Sequence, residues 1–215
     1  MTEYLTEQEQ IEILKSWLKQ YSLVILAGVV VAAISIWGWG YWQQRQTNIL
    51  RHASAIYDEM LNMRAQSDSP ATLMQAKKLY AHYPQTAYGQ ISALMLARVS
   101  VAKNEYSEAN QQYHWVIDNS KIPSLRQVAR LRLARVLLAQ KKYQESLDIL
   151  KKVDDKNFIG LIDEIRGDAY LALHNAAMAR QSYQQALEEL PNADIIRPLL
   201  RMKFDDLTIT TPSLS

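Results

Sequence analysis

The sequence predicts an all-α chain: one N-terminal transmembrane helix, then a solenoid of about four helical hairpins closed by a capping helix. Three observations carry this. An apolar stretch near the N-terminus lacks any charge over a length that crosses a bilayer. Downstream, small and aromatic residues recur at near-constant spacing. Gly and Pro number only six each in 215 residues, fewer than a sheet-rich or phosphate-cradling fold of this size uses.

Composition narrows the class further. Apolar residues make up 48% and charged residues 21%, so the chain can bury a core and is not disordered. Lys and Arg number 24 against 22 Asp and Glu, a net charge of +2 that is too balanced for a dedicated nucleic-acid binder. Cysteine is absent, which excludes disulfides, thiolate metal sites and a Cys nucleophile.

Residues 1–20 read as a short helical leader. Thr6 with Glu9 three residues on has the form of a capping box. Ile11, Leu14, Leu18 and Tyr21 then share one helical stripe, beside the acidic Glu7, Glu9 and Glu12. From Gln20 to Gln44 no residue is charged. The span proper, 21–42, is about 33 Å long as a helix, against a hydrocarbon core of about 30 Å. Trp17 and Tyr21 stand at one end and Trp37, Trp39, Tyr41 and Trp42 at the other, as interfacial aromatic belts do. A buried core helix rarely runs this long uncharged. A cleavable signal peptide would have a shorter apolar core ending in small residues. Lys15 and Lys19 before the span balance Arg45 and Arg51 after it, so the charge bias does not orient it. A short leader ahead of an uncleaved span leans toward a cytoplasmic N-terminus.

Residues 45–207 form the repeat domain. Three segments align without gaps: Ala97, Tyr106, Ala109, Tyr113, Val116; Ala134, Tyr143, Ser146, Leu150, Val153; and Gly167, Ala176, Ala179, Tyr183, Ala186. The copies are offset by 37 and then 33 residues. A period near 34 with small residues at helix crossings is the tetratricopeptide pattern: small side chains let two helices approach and an aromatic one turn later fills the gap. The third copy is the most complete, with Tyr170 and Pro191 in addition. A degenerate earlier copy shows Ala76, Tyr80 and Tyr83 before Pro84. Its first helix starts at or before Thr47, can run on from the span, and ends near Gln66 at the breaker Ser67-Asp68-Ser69-Pro70. Ile195 to Leu207 reads as the capping helix, with Pro198 in its first turn, and 208–215 as a flexible tail.

Chemistry is not legible. His52, His82, His114 and His174 are unpaired at ligand spacing and read as surface or turn residues, His174 in the turn of the third hairpin. Adjacent carboxylates such as Asp154-Asp155 do not share a helical face. Neither GxSxG nor GxxxxGK[ST] occurs. No enzyme, metal or cofactor is therefore expected. Lys121 to Lys152 holds nine basic residues against Glu145 and Asp148, either a solvated helix face or a patch for an acidic partner, anionic lipid headgroups or nucleic acid, the last ranked lowest because no aromatic residues interleave with it.

Taken in order, the acidic leader, the exit Gly38-Trp39-Gly40-Tyr41-Trp42, then Leu131-Arg132-Leu133-Ala134-Arg135-Val136, Arg166-Gly167-Asp168 and Met202-Lys203-Phe204-Asp205-Asp206-Leu207 resemble one family end to end. This family is the ancillary subunit of the bacterial SecYEG translocon, the YfgM-like proteins. The resemblance implies a single-pass inner-membrane protein with its N-terminus in the cytoplasm and its repeat domain in the periplasm. It implies association with the SecYEG translocon and a PpiD-like periplasmic chaperone, and a role in handing over exported clients. A scaffold for cell-envelope or division machinery is the alternative use of an anchored repeat. Partner binding is expected in the concave groove of the solenoid, at Arg98 and Arg135, each directly after the small residue of its copy and turned by about 100°. The matching residue of the third copy is Asp168, so the groove is expected to run from basic to acidic.

Overall fold

The computed structural model describes residues 7–64, 70–191, 195 and 197–209. It divides into two compact units, 1–52 and 53–215, each taken by itself. Among the described residues every regular element is helical.

Helix α1 (Glu7–Arg64) carries the first unit. Lipid cannot pair backbone N–H and C=O groups, so an apolar span holds them within a helix whatever its Val and Ile content. The two serine hydroxyls in the uncharged stretch are turned inward in the same way. Ser22 Oγ donates to the Lys19 carbonyl at 3.1 Å and Ser35 Oγ to the Val31 carbonyl at 2.8 Å. Leu23, Ile36 and Trp37 are all exposed, and the helix is long and apolar enough to cross a membrane. At its ends Trp17 lies 5.5 Å from Tyr21 and Trp39 5.6 Å from Trp42, as tilted ring pairs. The Thr6 cap of the leader lies outside the described residues, as does the Leu14 side chain.

The second unit is a series of antiparallel helices. Ala53 and Met60, late in α1, are buried with Ala76, Leu79, Met95 and Leu96. The helix is described as far as Arg64, and its expected end near Gln66 lies outside the described residues. Of the expected breaker, Ser67 to Ser69 lie outside the described residues and Pro70 opens the next helix. There follow α2 (Pro70–His82), α3 (Ala87–Ala102), α4 (Tyr106–Asn119), α5 (Pro123–Ala139) and α6 (Tyr143–Ile149). A 3₁₀ turn (Lys156–Phe158), α7 (Ile159–Ala172), α8 (Ala176–Glu189) and α9 (Pro198–Ile209) complete it. Most connections from α2 on have three or four residues, which forces neighbours antiparallel, while those from α6 to α7 and from α8 to α9 are longer. Helices α3, α5 and α7 touch in sequence and form one layer, while α4 and α6 each pack between the members of that layer that flank them.

The small-residue pattern sits where expected. Ala97, Ala109, Ala134, Ser146 and Ala179 are fully buried. At Gly167 a Cβ would fall 2.3 Å from Cε1 of Tyr183, so only glycine lets that ring lie against α7. Ser146 fills its place with a bond of its own, Oγ donating to the Ala134 carbonyl across the hairpin at 3.0 Å. The three hairpin turns are alike. Asn104, Lys141 and His174 all adopt left-handed φ near 60°. The N–H groups of each and of the next residue reach back to carbonyls three and five residues earlier, which closes the helix end. His174 is thus a turn residue.

Two expectations need correction. The second copy does not hold one helix from Tyr143 to Val153, because α6 stops at Ile149, seven residues long where α4 and α8 have 14. Leu150 is still buried, but Val153 is 40% exposed whereas its counterparts Val116 and Ala186 are buried. The cause is tertiary: Asp154 is drawn in between α5 side chains, and Arg166 Nη2 caps the Leu150 carbonyl at 2.9 Å. The capping helix begins at Pro198 rather than Ile195 and continues to Ile209, because proline cannot donate to an earlier carbonyl and so opens the helix. Positions 210–215 of the expected tail lie outside the described residues.

Candidate interaction surface

The layer of α3, α5 and α7 has the closest lateral packing, and in stacked hairpins the more closely spaced layer is the concave one. Ala97 and Ala134 face inward, fully buried, and the residues after them, Arg98 and Arg135, are exposed. One turn on, Val101 and Leu138 are half-buried and Leu171 is 40% exposed. The surface is therefore a row of aliphatic side chains carrying two guanidinium groups from successive repeats. It can hold an amphipathic segment bearing carboxylates.

Asp168 occupies the matching place on α7, but its charge is met locally. Its Oδ1 accepts from Tyr183 Oη at 2.8 Å and from Lys203 Nζ of α9 at 2.5 Å. Glu164, one turn earlier, pairs with Arg197. Burial and the Asp168 carboxylate together push the Tyr183 hydroxyl above the ordinary phenol range, so it stays a proton donor. This end of the row is a closed set of contacts that seats α9. At the other end, burial raises the Tyr113 hydroxyl against the opposing pull of Arg132 and Arg98.

The basic run 121–152 is largely structural. Arg126 Nε and Arg130 Nε donate to the two oxygens of Asp154, at 3.0 and 2.7 Å, in a site where the carboxylate is nearly buried. Burial works against its charge, but the two guanidinium groups outweigh it and hold the Asp154 carboxyl below the usual range. Arg132 Nη1 donates to the Leu94 carbonyl, while Lys142 and Lys151 pair with Glu145 and Asp148.

Two buried glutamines escaped the sequence reading. Gln90 Oε1 accepts from Ser120 Oγ at 2.7 Å, and Gln127 Oε1 accepts from the Asp154 N–H at 2.8 Å. Each ties the start of one helix to the loop beside it. Their separation of 37 residues, equal to the repeat offset, was the available signal.

Three clefts between consecutive second helices have volumes of ≈ 270, ≈ 350 and ≈ 330 Å³, at the low end for small-molecule sites. The four histidines are exposed, and among the described residues no three His, Asp or Glu gather as a metal site. The arrangement is one of contact surfaces.

The chain matches the tetratricopeptide repeat-like domain family over residues 15–209. A protein of Neisseria gonorrhoeae called ancillary SecYEG translocon subunit is 31% identical to it over 209 residues, 96% of this chain and 100% of that one. The Escherichia coli protein of the same name is 26% identical, over 96% of this chain and 98% of its own. That of Haemophilus influenzae is 25% identical, over 94% and 97%. Among solved structures, that from the functional characterization of Pseudomonas aeruginosa pilF superposes with a TM-score of 0.61, at 16% identity over 76% of this chain and 70% of that one. It shares the fold.

Proposed function

Since the chain belongs to the tetratricopeptide repeat-like family of ancillary SecYEG translocon subunits, we propose that it is a membrane-tethered adaptor at the Sec translocon. In this reading 21–42 anchors it in the inner membrane, the leader 1–20 is cytoplasmic, and the repeat domain 45–207 works in the periplasm. There it contacts the translocon and a PpiD-like chaperone during hand-over of exported proteins. The observation that carries the reading is the near-full-length relationship to the Neisseria gonorrhoeae subunit, anchor included. A solenoid built of contact surfaces fits that role. Tethering raises local concentration, so weak contacts suffice.

Arg98 and Arg135 are the partner-binding residues of this reading, through carboxylates on the partner. Asp168 acts beside them by seating α9, which closes the groove at that end. The test is photo-crosslinking in native membranes from a probe at Leu138, in the full chain. Adducts with translocon subunits and a periplasmic chaperone are expected; adducts confined to envelope or division proteins would overturn the proposal. Protease added to intact spheroplasts checks the topology, since it should digest the repeat domain and spare the leader.

A further inference from the structure

Two loops on one edge of the second unit each carry a lysine followed by a β-branched aliphatic residue. Lys121-Ile122 lies between α4 and α5, and Lys152-Val153 between α6 and α7. One guanidinium staples the loops together: Arg126 donates from Nη1 to the Ser120 carbonyl and from Nε to Asp154, each at 3.0 Å. The residue after Ser120 is Lys121 and the residue before Asp154 is Val153, so the two Lys-aliphatic pairs are held side by side. Ile122 is 36% and Val153 40% exposed. Lys121, Lys152 and Lys156 are exposed and none has a carboxylate partner among the described residues.

The local charge is positive. Along these loops Lys121, Arg126, Arg130, Lys151, Lys152 and Lys156 outnumber Asp118, Asp148, Asp154 and Asp155, together with Glu189, whose Cβ packs beside Gly160 at the start of α7. Asp154 is already shared by two arginines and Asp148 is held by Lys151. Two protruding aliphatic tips are far too little area for a stable protein contact. Aliphatic tips among lysines do suit the headgroup layer of an anionic bilayer, where the tips enter the interface and each lysine meets the surface potential. A bilayer is also the one surface an anchored chain always has within reach. With the alternation of helix directions, the chain enters this unit at Ala53 on the edge where the first helices of the hairpins begin, which is the edge of these loops.

From this juxtaposition we propose that the edge formed by Lys121-Ile122, Lys152-Val153 and Lys156 is a second membrane contact, which rests the repeat domain on anionic lipid headgroups. It rests on the membrane-anchored reading above. Each lysine at an anionic surface changes the partition toward it by about fivefold.

The chain has no cysteine, so Val153→Cys in the full-length protein takes a single environment-sensitive fluorophore. The labelled chain is reconstituted into vesicles of phosphatidylglycerol and phosphatidylcholine in equal parts, or of phosphatidylcholine alone. The expected result is blue-shifted emission, shielded from an aqueous quencher, on the anionic vesicles only. It should be lost on Lys121→Glu/Lys152→Glu/Lys156→Glu with helicity unchanged. Equal emission in the two vesicle types, or a shift that survives charge reversal, overturns the proposal. So does a photo-probe at Ile122 that captures a protein in native membranes while the vesicles give no shift. A second label at Val30→Cys separates the two readings: it should be shielded in both vesicle types, and exposure there refutes the anchor itself.

Discussion

Gly167→Ala sets two opposed effects against each other. Helix propensity alone favours alanine within α7 by about 0.8–1 kcal/mol. Against this, the new Cβ would lie 2.3 Å from Cε1 and 2.4 Å from Cδ1 of Tyr183, and that ring has nowhere to go. It is fully buried, its hydroxyl is bonded to Asp168, and Lys203 stands 5.7 Å over its face. Overpacking of a filled core costs about 1–3 kcal/mol. Displacing the ring also strains a hydrogen bond to a charged group, worth about 1.5–3 kcal/mol. The net expectation is a loss of about 1–3 kcal/mol, or a melting point lower by about 2–12 °C in a domain of this size. Gly160→Ala is the control. There the Cβ would meet Leu190 Cγ at 2.6 Å and Glu189 Cβ at 3.2 Å; the half-buried Leu190 can change rotamer while the Glu189 Cβ shifts only with its backbone, so its melting point should fall by less than that of Gly167→Ala. Thermal melts of the full chains in detergent, followed by far-ultraviolet circular dichroism, compare the three. If Gly167→Ala melts at or above the parent, propensity has won, and the claim that glycine admits the Tyr183 ring is refuted.

Three further outcomes follow from the same contacts. Asp154→Asn leaves Arg130 buried without its counter-charge and should cost about 3–5 kcal/mol by chemical denaturation. The depressed pKa of Asp154 means that its contribution is full above the ordinary aspartate range, near 3.9, and is lost as pH falls through the lower folded value; the parent should therefore lose stability in acid more steeply than Asp154→Asn. Lys141→Gly relieves a left-handed backbone and should raise stability by about 0.5–1 kcal/mol despite the added freedom of the unfolded chain, with an unchanged or lower midpoint counting against it. Arg98→Glu with Arg135→Glu should weaken partner capture most at low salt, with melting unmoved; equal capture would place the contact elsewhere.

The parts of the fold that were legible are those where neighbours in space are close in sequence. A hairpin of two helices packs residues nine to sixteen positions apart, so the series Ala97, Tyr106, Ala109, Tyr113 and Val116 carries its own register. The end of α6 had no such signal. Letters and spacing place Val153 where Val116 and Ala186 stand, and what unwinds it is the pull of Arg126 and Arg130 on Asp154, more than twenty residues away in sequence. The same pair misled the charge count, because a window closed at Lys152 stops two residues short of the carboxylate that neutralises it. Asp168 shows the converse limit. Its place on α7 followed from the repeat, but Lys203 lies 35 residues on in a helix outside the repeat pattern.

The short α6 bears on how the array comes apart. Stacked hairpins behave as a row of units coupled only to their neighbours, and opening begins at the weakest junction. Most junctions here are continuous helix faces, with Ala93, Ala129 and Leu133 interlocked in one core. Around α6 a smaller core of Leu131, Ala134, Leu150, Ile162 and Ile165 is supplemented by polar ties: Arg126 and Arg130 on Asp154, Gln127 on its N–H, Arg166 on the Leu150 carbonyl. Amide protons of α7, α8 and α9 should therefore exchange as one cooperative block, and those of α3 to α5 as another with a higher opening energy, with the seam between them at Leu150.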